Sequence, residues 1–303
     1  MARVVVAGKI HSSGLAVLRG RQGLDIEQHT MLDEERMQAA VAGADALLIR
    51  TSTLSAAAIK GARVLRVVAR HGVGYDNIDL AALTERGIPL ALVGNVNAVS
   101  VAEHTLYLLL ACMKRGLTYD RAMRNGGWQI RDTLGARDLL GKTLLIVGFG
   151  RIGGEVATRA KAFGMKVEAY DPLIKAGRAG AVTLVADLDA AIARADAVSL
   201  HLPLTEQTRN LFDGKRIARM KAAAVLICTA RGGLIDETAL AEALRERRLM
   251  AAGLDVFAEE PPDARHGLLG LENVVLSPHS AALTDECAER MAVISAQNCL
   301  DGL

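Results

Sequence analysis

Aromatic residues are scarce in this chain, only 3% of 303 positions, so no aromatic-rich binding face is written into it. Neither sign of charge dominates. Lys and Arg number 36 against 34 Asp and Glu, a formal net charge of +2, and no basic block stands out. That argues against a nucleic-acid groove. Long hydrophobic runs are also missing. The apolar stretch nearest the start, residues 4–7, is too short for a secretion signal. Residues 106–113 are apolar, but Glu103, His104, Lys114 and Arg115 bound them too closely for a bilayer span. Cys112, Cys228, Cys287 and Cys299 form no C-x-x-C pair and are irregularly spaced, which reads as free thiols in a reducing cytoplasm. No H-E-x-x-H stretch or Cys/His cluster offers a metal site, and none is expected.

What the chain does have is apolar bulk. Hydrophobic residues make up 51%, enough for about two domains with substantial cores. Short apolar runs at 4–7, 46–49, 65–69 and 90–93 predict strands, with helical spacing at 34–41 and 80–86 between them. A second series predicts six strands, at 144–147, 166–170, 197–200, 224–227, 251–254 and 274–276. Strands alternating with helices imply an α/β chain of parallel sheets covered on both faces. Residues 100–115 are helical in pattern but apolar over a wide arc, which predicts burial between domains or subunits. Residues 285–300 predict a final helix with no strand after it.

The second series opens on a distinctive unit. Strand 144–147 runs into Gly148, Gly150 and Gly153 in G-x-G-x-x-G spacing, then a helix over 152–163, then a strand ending at Asp171. This order of strand, glycine turn, helix, strand and acid holds a dinucleotide. Gly148 permits the sharp turn, Gly150 the approach of a pyrophosphate, and Gly153 close packing of helix on sheet. The helix N-terminus adds N–H groups and partial positive charge. Asp171 follows Gly148 by 23 positions, near the ~20 usual for an acid on the ribose. A carboxylate there favours NAD over NADP, with Lys175 and Arg178 as basic neighbours.

Ligands of an open parallel sheet bind beyond the carboxyl ends of its strands. The runs after the last three strands carry Arg231, Glu260 and His279. An arginine can grip a carboxylate in a bidentate fork. A histidine can exchange a proton with a carbonyl or hydroxyl oxygen, and a glutamate can orient that histidine and stabilise its charged form. Each residue alone reads as an ordinary surface or core group. Together on adjacent strand ends they suit hydride transfer to a 2-oxo acid.

Seven motifs extend this reading along the chain: RHGVGYDNID at 70–79, SVAEHT at 100–105, VGFGRIG at 147–153, HLPLTEQT at 201–208, TARGGLIDE at 229–237, LDVFAEEPP at 254–262 and SPH at 277–279. In this order they resemble the D-isomer-specific 2-hydroxyacid dehydrogenase family, in its phosphoglycerate dehydrogenase-like branch. The resemblance implies a Rossmann NAD-binding domain over 97–284 and a smaller flavodoxin-like substrate domain from 1–96 plus 285–303, hinged near 95–100. It implies that the cleft closes on substrate and that the chain forms a homodimer on the helix at 100–115. It casts Arg231 as the substrate-binding arginine, His279 as the acid/base and Glu260 as its partner. Cofactor contacts are implied for Gly148, Gly150, Arg151, Ile152, Gly153 and Asp171, and for His201, Pro203 and Thr208. Thr229, Ala230, Arg231, Asp255 and His279 complete that set, Asp255 holding the nicotinamide carboxamide.

On the substrate side, the backbone of Val73 and Gly74 is expected to meet the carboxylate. His71 is expected to line the pocket, while Arg50 and Arg70 are candidates for a second anionic group. Hydrogen bonding or packing between domains is the preferred reading of His104 and His201 as side chains. Ala281 and Ala282 stand where the family often has a glycine after the histidine. No counterpart of the regulatory C-terminal domain follows, so serine feedback through one is not expected. Formate dehydrogenase, a relative, carries a glutamine where this chain has Glu260. Alternatives are a glyoxylate/hydroxypyruvate or sulfopyruvate reductase, or a non-catalytic NAD(H)-sensing protein.

Overall fold

Alternate residues of a strand face opposite sides of its sheet, and in this chain both sides are apolar. Val5 and Ala7 enter one core cluster while Val4 and Val6 enter another. Leu145 and Val147 likewise part from Leu144 and Ile146. Such strands must be covered on both faces, as parallel sheets with helical crossovers are. The computed structural model describes residues 1–175 and 177–303, and all their side chains except that of Arg178.

The chain divides into two units, residues 1–97 with 282–303, and residues 98–281. The first holds β1 (Ala2–Ala7), β2 (Leu24–His29), β3 (Ala46–Ile49), β4 (Val67–Arg70) and β5 (Leu90–Ala91). They form one parallel sheet in the order β2-β1-β3-β4-β5. The strand β2 has no counterpart among the four predicted from sequence. It is an edge strand whose charged residues Asp25 and Glu27 interrupt the apolar pattern. The last helix, Asp285–Asp301, packs Ala292, Ala296 and Cys299 against the face that carries Val4, Val6, Ala46 and Leu48.

The second unit holds β6 (Thr143–Val147), β7 (Lys166–Tyr170), β8 (Gly177–Ala179), β9 (Val182–Leu184), β10 (Ala197–Leu200), β11 (Val225–Cys228), β12 (Ala251–Leu254) and β13 (Val274–Leu276). Their order is β13-β12-β11-β10-β6-β7-β9-β8, parallel throughout except that β8 runs antiparallel to β9. Six of these strands match the sequence expectation. The seventh parallel strand, β9, is three residues long and too short to leave a periodic signal. The order reverses between β6 and β10, which places a ligand crevice beyond their carboxyl ends.

The wide apolar arc of the helix Ala98–Met113 has a simpler cause than burial between domains or subunits. Ala102, Leu106, Leu108, Leu109, Cys112 and Met113 are buried with Ile146, Val225 and Ile227 in the second unit's own core. No helix among the described residues is long and apolar enough to cross a membrane.

Candidate active site

The glycine turn after β6 is shaped by what a side chain would strike. Gly148 has φ +97°, and a Cβ there would lie 2.7 Å from the His201 carbonyl carbon. A Cβ on Gly153 would lie 2.3 Å from the Gly148 carbonyl oxygen. Gly150 differs, because its Cβ would meet nothing within 4 Å. The space above this residue is open, and no side chain caps the helix Arg151–Ala162 that it starts. An uncapped helix start with open space before it fits a pyrophosphate. Arg151 is exposed and Ile152 half-buried at that start.

Asp171 ends β7 beside the turn. Its Oδ2 accepts the Phe149 N–H at 2.9 Å and its Oδ1 accepts the Leu173 N–H at 2.9 Å. The carboxylate therefore braces the glycine turn while keeping lone pairs for ribose hydroxyls. Lys175 is exposed, and the Arg178 side chain lies outside the described residues.

Beyond β10, the His201 ring bonds through Nε2 to Ser199 Oγ at 2.8 Å, within the second unit and on its own strand. Its Nδ1 is buried without a partner, and burial pushes the pKa of the ring down to about 4. Thr208 Oγ1 donates to the Pro203 carbonyl at 2.7 Å and accepts the Thr205 N–H at 2.7 Å, which locks the following loop.

Three further strand ends bring the other predicted groups. After β11, the buried Thr229 pairs with Thr105 Oγ1 at 2.9 Å, and Arg231 Nη1 donates to the Ala230 carbonyl at 2.6 Å. After β12, Phe257 N–H donates to Glu260 Oε1 at 3.1 Å. After β13, His279 Nδ1 meets Glu260 Oε2 at 2.7 Å. Burial pushes the Glu260 carboxyl upward, but the His279 and Phe257 hydrogen bonds and the charges of His279 and Arg231 outweigh it. The carboxyl sits below its usual range, so Glu260 is ionised at neutral pH and accepts a proton-bearing Nδ1. Nε2 is left to exchange a proton, and the His279 side chain is half exposed.

Sequence reasoning missed what holds this histidine. His279 has φ +50°, uncommon outside glycine. The fully buried Asp255 organises its loop. Asp255 Oδ1 accepts from Ser277 Oγ at 2.5 Å and Ser280 N–H at 2.9 Å, Oδ2 accepts Ala281 N–H at 2.9 Å, and the Asp255 carbonyl takes the His279 N–H at 2.7 Å. His104 Nε2 bonds to Ser277 Oγ at 2.8 Å, so it works inside the second unit instead of between domains. The serine of the SPH motif was the available signal.

The substrate-side candidates lie in the first unit. Arg70 spends its guanidinium on the carbonyls of Gly74 (2.7 Å), His71 (2.9 Å) and Ile49 (3.4 Å), shaping the loop that holds Val73 and Gly74. The Val73 side chain packs with Val93, Cys287 and Met291. Arg50 Nη1 donates to the Lys9 carbonyl at 2.7 Å. His71 is buried at the end of β4, and burial, with the charges of Arg50 and Arg70, pushes its pKa down to about 4.

A stability prediction follows from His71 and His201. Both have folded values near 4 against an ordinary 6.5, so between those values the unfolded chain binds protons that the folded chain does not. Stability is complete above pH ~6.5 and falls toward pH 4 by about 1.4 kcal/mol per pH unit for each group. Urea midpoints measured from pH 7 to pH 4 should drop over this window, and His201→Gln should reduce the slope. A flat profile would show that neither ring is neutral by burial.

Comparison with known proteins agrees with the geometry. Residues 106–281 match the sequence model of the D-isomer specific 2-hydroxyacid dehydrogenase, NAD binding domain. A D-3-phosphoglycerate dehydrogenase of Methanocaldococcus jannaschii is 39% identical over 300 residues, covering 98% of this chain. The chain spans only 56% of that protein's length. A hydroxypyruvate reductase of Thermotoga maritima is 40% identical, covering 96% of this chain and 95% of its own. The crystal structure of a Thermus thermophilus protein superposes with a TM-score of 0.92 at 37% identity, covering 99% of this chain and 96% of that one. The glycine turn, the braced Asp171 and the Glu260–His279 pair thus stand in a chain that belongs to the D-isomer specific 2-hydroxyacid dehydrogenase family and carries its NAD-binding domain.

Proposed function

We propose that this chain interconverts a D-2-hydroxy acid and a 2-oxo acid using NAD(H). The observation that carries the reading is the 2.7 Å bond between His279 Nδ1 and Glu260 Oε2 on strand ends next to Arg231. When bound at the glycine turn, NADH supplies the hydride to C2 of the oxo acid. Arg231 grips the substrate carboxylate. His279 Nε2 gives its proton to the oxygen during reduction and takes it back during oxidation. Glu260 holds the ring and balances its positive charge. Glu260 also speaks against the formate dehydrogenase reading.

The test is the rate of NADH absorbance loss with hydroxypyruvate, 3-phosphohydroxypyruvate, glyoxylate, sulfopyruvate and pyruvate, each repeated with NADPH. Turnover of one acid far above the rest, with NADH preferred, supports the reading and the role of Asp171. NADH binding without turnover of any acid favours a sensor of NAD(H).

A homodimer in the cytoplasm completes the proposal. The helix Gly116–Arg124 and the short 3-10 helix Trp128–Thr133 have no buried residue, and Leu117, Met123, Trp128, Leu134 and Leu140 are exposed around them. Such a grouping of apolar side chains suits a second copy of the chain. The four cysteines are free and buried, as a reducing compartment allows.

A further inference from the structure

Behind the His279–Glu260 pair stands a second histidine and carboxylate. His266 Nε2 lies 2.9 Å from Glu237 Oε2, and the two side chains are only 23% and 13% exposed. The hydrogen between them has a defined place. His266 Nδ1 accepts the Leu268 N–H at 3.4 Å, so Nε2 carries the hydrogen and donates it to the carboxylate. The other carboxylate oxygen, Oε1, accepts the Ala258 N–H at 2.7 Å. All of these residues belong to the second unit.

Glu237 opens the helix Glu237–Arg245, where a carboxylate ordinarily serves the helix start. That task falls to Asp236, whose side chain accepts the Ala239 N–H. The oxygens of Glu237 turn instead to the loop after β12, the segment that holds Glu260. The peptide joining Phe257 to Ala258 is fixed on two sides. Its carbonyl lies so close to Gly232 that no Cβ fits between them, and its N–H is bonded to Glu237. The Phe257 ring adds an edge-on contact with His266, with ring centroids 5.7 Å apart. One peptide earlier, the Phe257 N–H donates to Glu260 Oε1, and Glu260 Oε2 meets His279 Nδ1. A shift of Phe257 would therefore move Glu260 relative to the imidazole. We propose that Glu237 is a positioning residue for hydride transfer: held by His266, it fixes the Phe257–Ala258 peptide and so sets Glu260 against His279. This rests on the dehydrogenase reading given above. A charged acceptor holds an N–H about twice as firmly as a neutral one, which suits a carboxylate to the task.

The test uses the acid named above that wild type reduces fastest. It measures kcat by NADH oxidation, NADH affinity by fluorescence titration, and melting temperature. Glu237→Ala should lower kcat about tenfold or more, with NADH affinity within about threefold of wild type. Glu237→Gln keeps an oxygen for the Ala258 N–H and should stay within about threefold in kcat. The decisive comparison is in a Glu260→Ala background, where the group that Glu237 positions is gone. There Glu237→Ala should cost less than about threefold. His266→Leu removes the donor to Oε2 and should lower kcat about threefold only when Glu260 is present. It serves where Glu237→Ala does not fold. Equal losses with and without Glu260 would make Glu237 structural and overturn the proposal. So would a wild-type kcat in Glu237→Ala. No turnover of any of the acids by wild type would instead overturn the dehydrogenase reading, and the proposal with it.

Discussion

The His279→Ala protein should bind NADH as tightly as wild type and reduce 2-oxo acids about 10²–10⁴ times more slowly. The alanine removes the Nε2 proton while Asp255 still holds the surrounding loop through Ser277, Ser280 and Ala281. Glu260→Gln keeps the shape of the partner and loses its charge, so its loss in rate should be smaller. Direction and pH add a second readout. In the proposed role His279 gives a proton in reduction and takes one in oxidation, so reduction should be favoured by lower pH and oxidation by higher pH. Identical pH profiles in the two directions would count against this role. Weakened NADH binding by His279→Ala, found by fluorescence titration, would make the residue structural.

Gly232→Ala should be nearly as damaging although it alters no reacting group. A Cβ at this position would lie 1.8 Å from the Phe257 carbonyl oxygen, 1.9 Å from its carbon and 2.4 Å from the Ala258 nitrogen. All three atoms are backbone, so one of the two loops has to move. Arg231 is the neighbour on one loop, and Phe257 on the other supplies the N–H that holds Glu260. A displacement of ~1 Å in such a site costs ~10² in rate. We expect kcat/KM to fall by about that factor, with a lowered melting temperature and a smaller effect on NADH affinity. Gly270→Ala is the control, because its Cβ would meet nothing within 4 Å. Wild-type rates for Gly232→Ala would mean that the loops separate without disturbing Arg231.

The parts of this protein most legible in its sequence are those whose causes are local. The glycine turn shows itself because Gly148, Gly150 and Gly153 follow an apolar strand at fixed spacing. Arg231, Glu260 and His279 group together because each comes shortly after a strand, and parallel strands deliver their ends to one rim. The edge strand β2 escapes because one side of it needs no apolar partner, and β9 because three residues make no period. The buried network around Asp255 escapes for another reason. It joins residue 255 to 277, 280 and 281, and through Ser277 to His104, across separations that no local pattern records. Gly232 is visible as one of a glycine pair, but the need for it lies in Phe257, far along the chain. The breadth of the apolar arc on Ala98–Met113 does signal burial. Composition does not say which surface does the covering, and the unit's own sheet does it here.

The return of the helix Asp285–Asp301 to the first unit sets an order on synthesis. The strands that carry Val4, Val6, Ala46 and Leu48 leave the ribosome early, yet Ala292, Ala296 and Cys299 cover their face only when the last helix emerges. Until then Leu15, Val17 and Leu18 of the helix Ser12–Arg19 cover that face only in part. The whole of 98–281, by contrast, is continuous and can close its own cores while the chain is still being made. The first unit therefore completes its fold after the second, although most of its residues come before it in the chain.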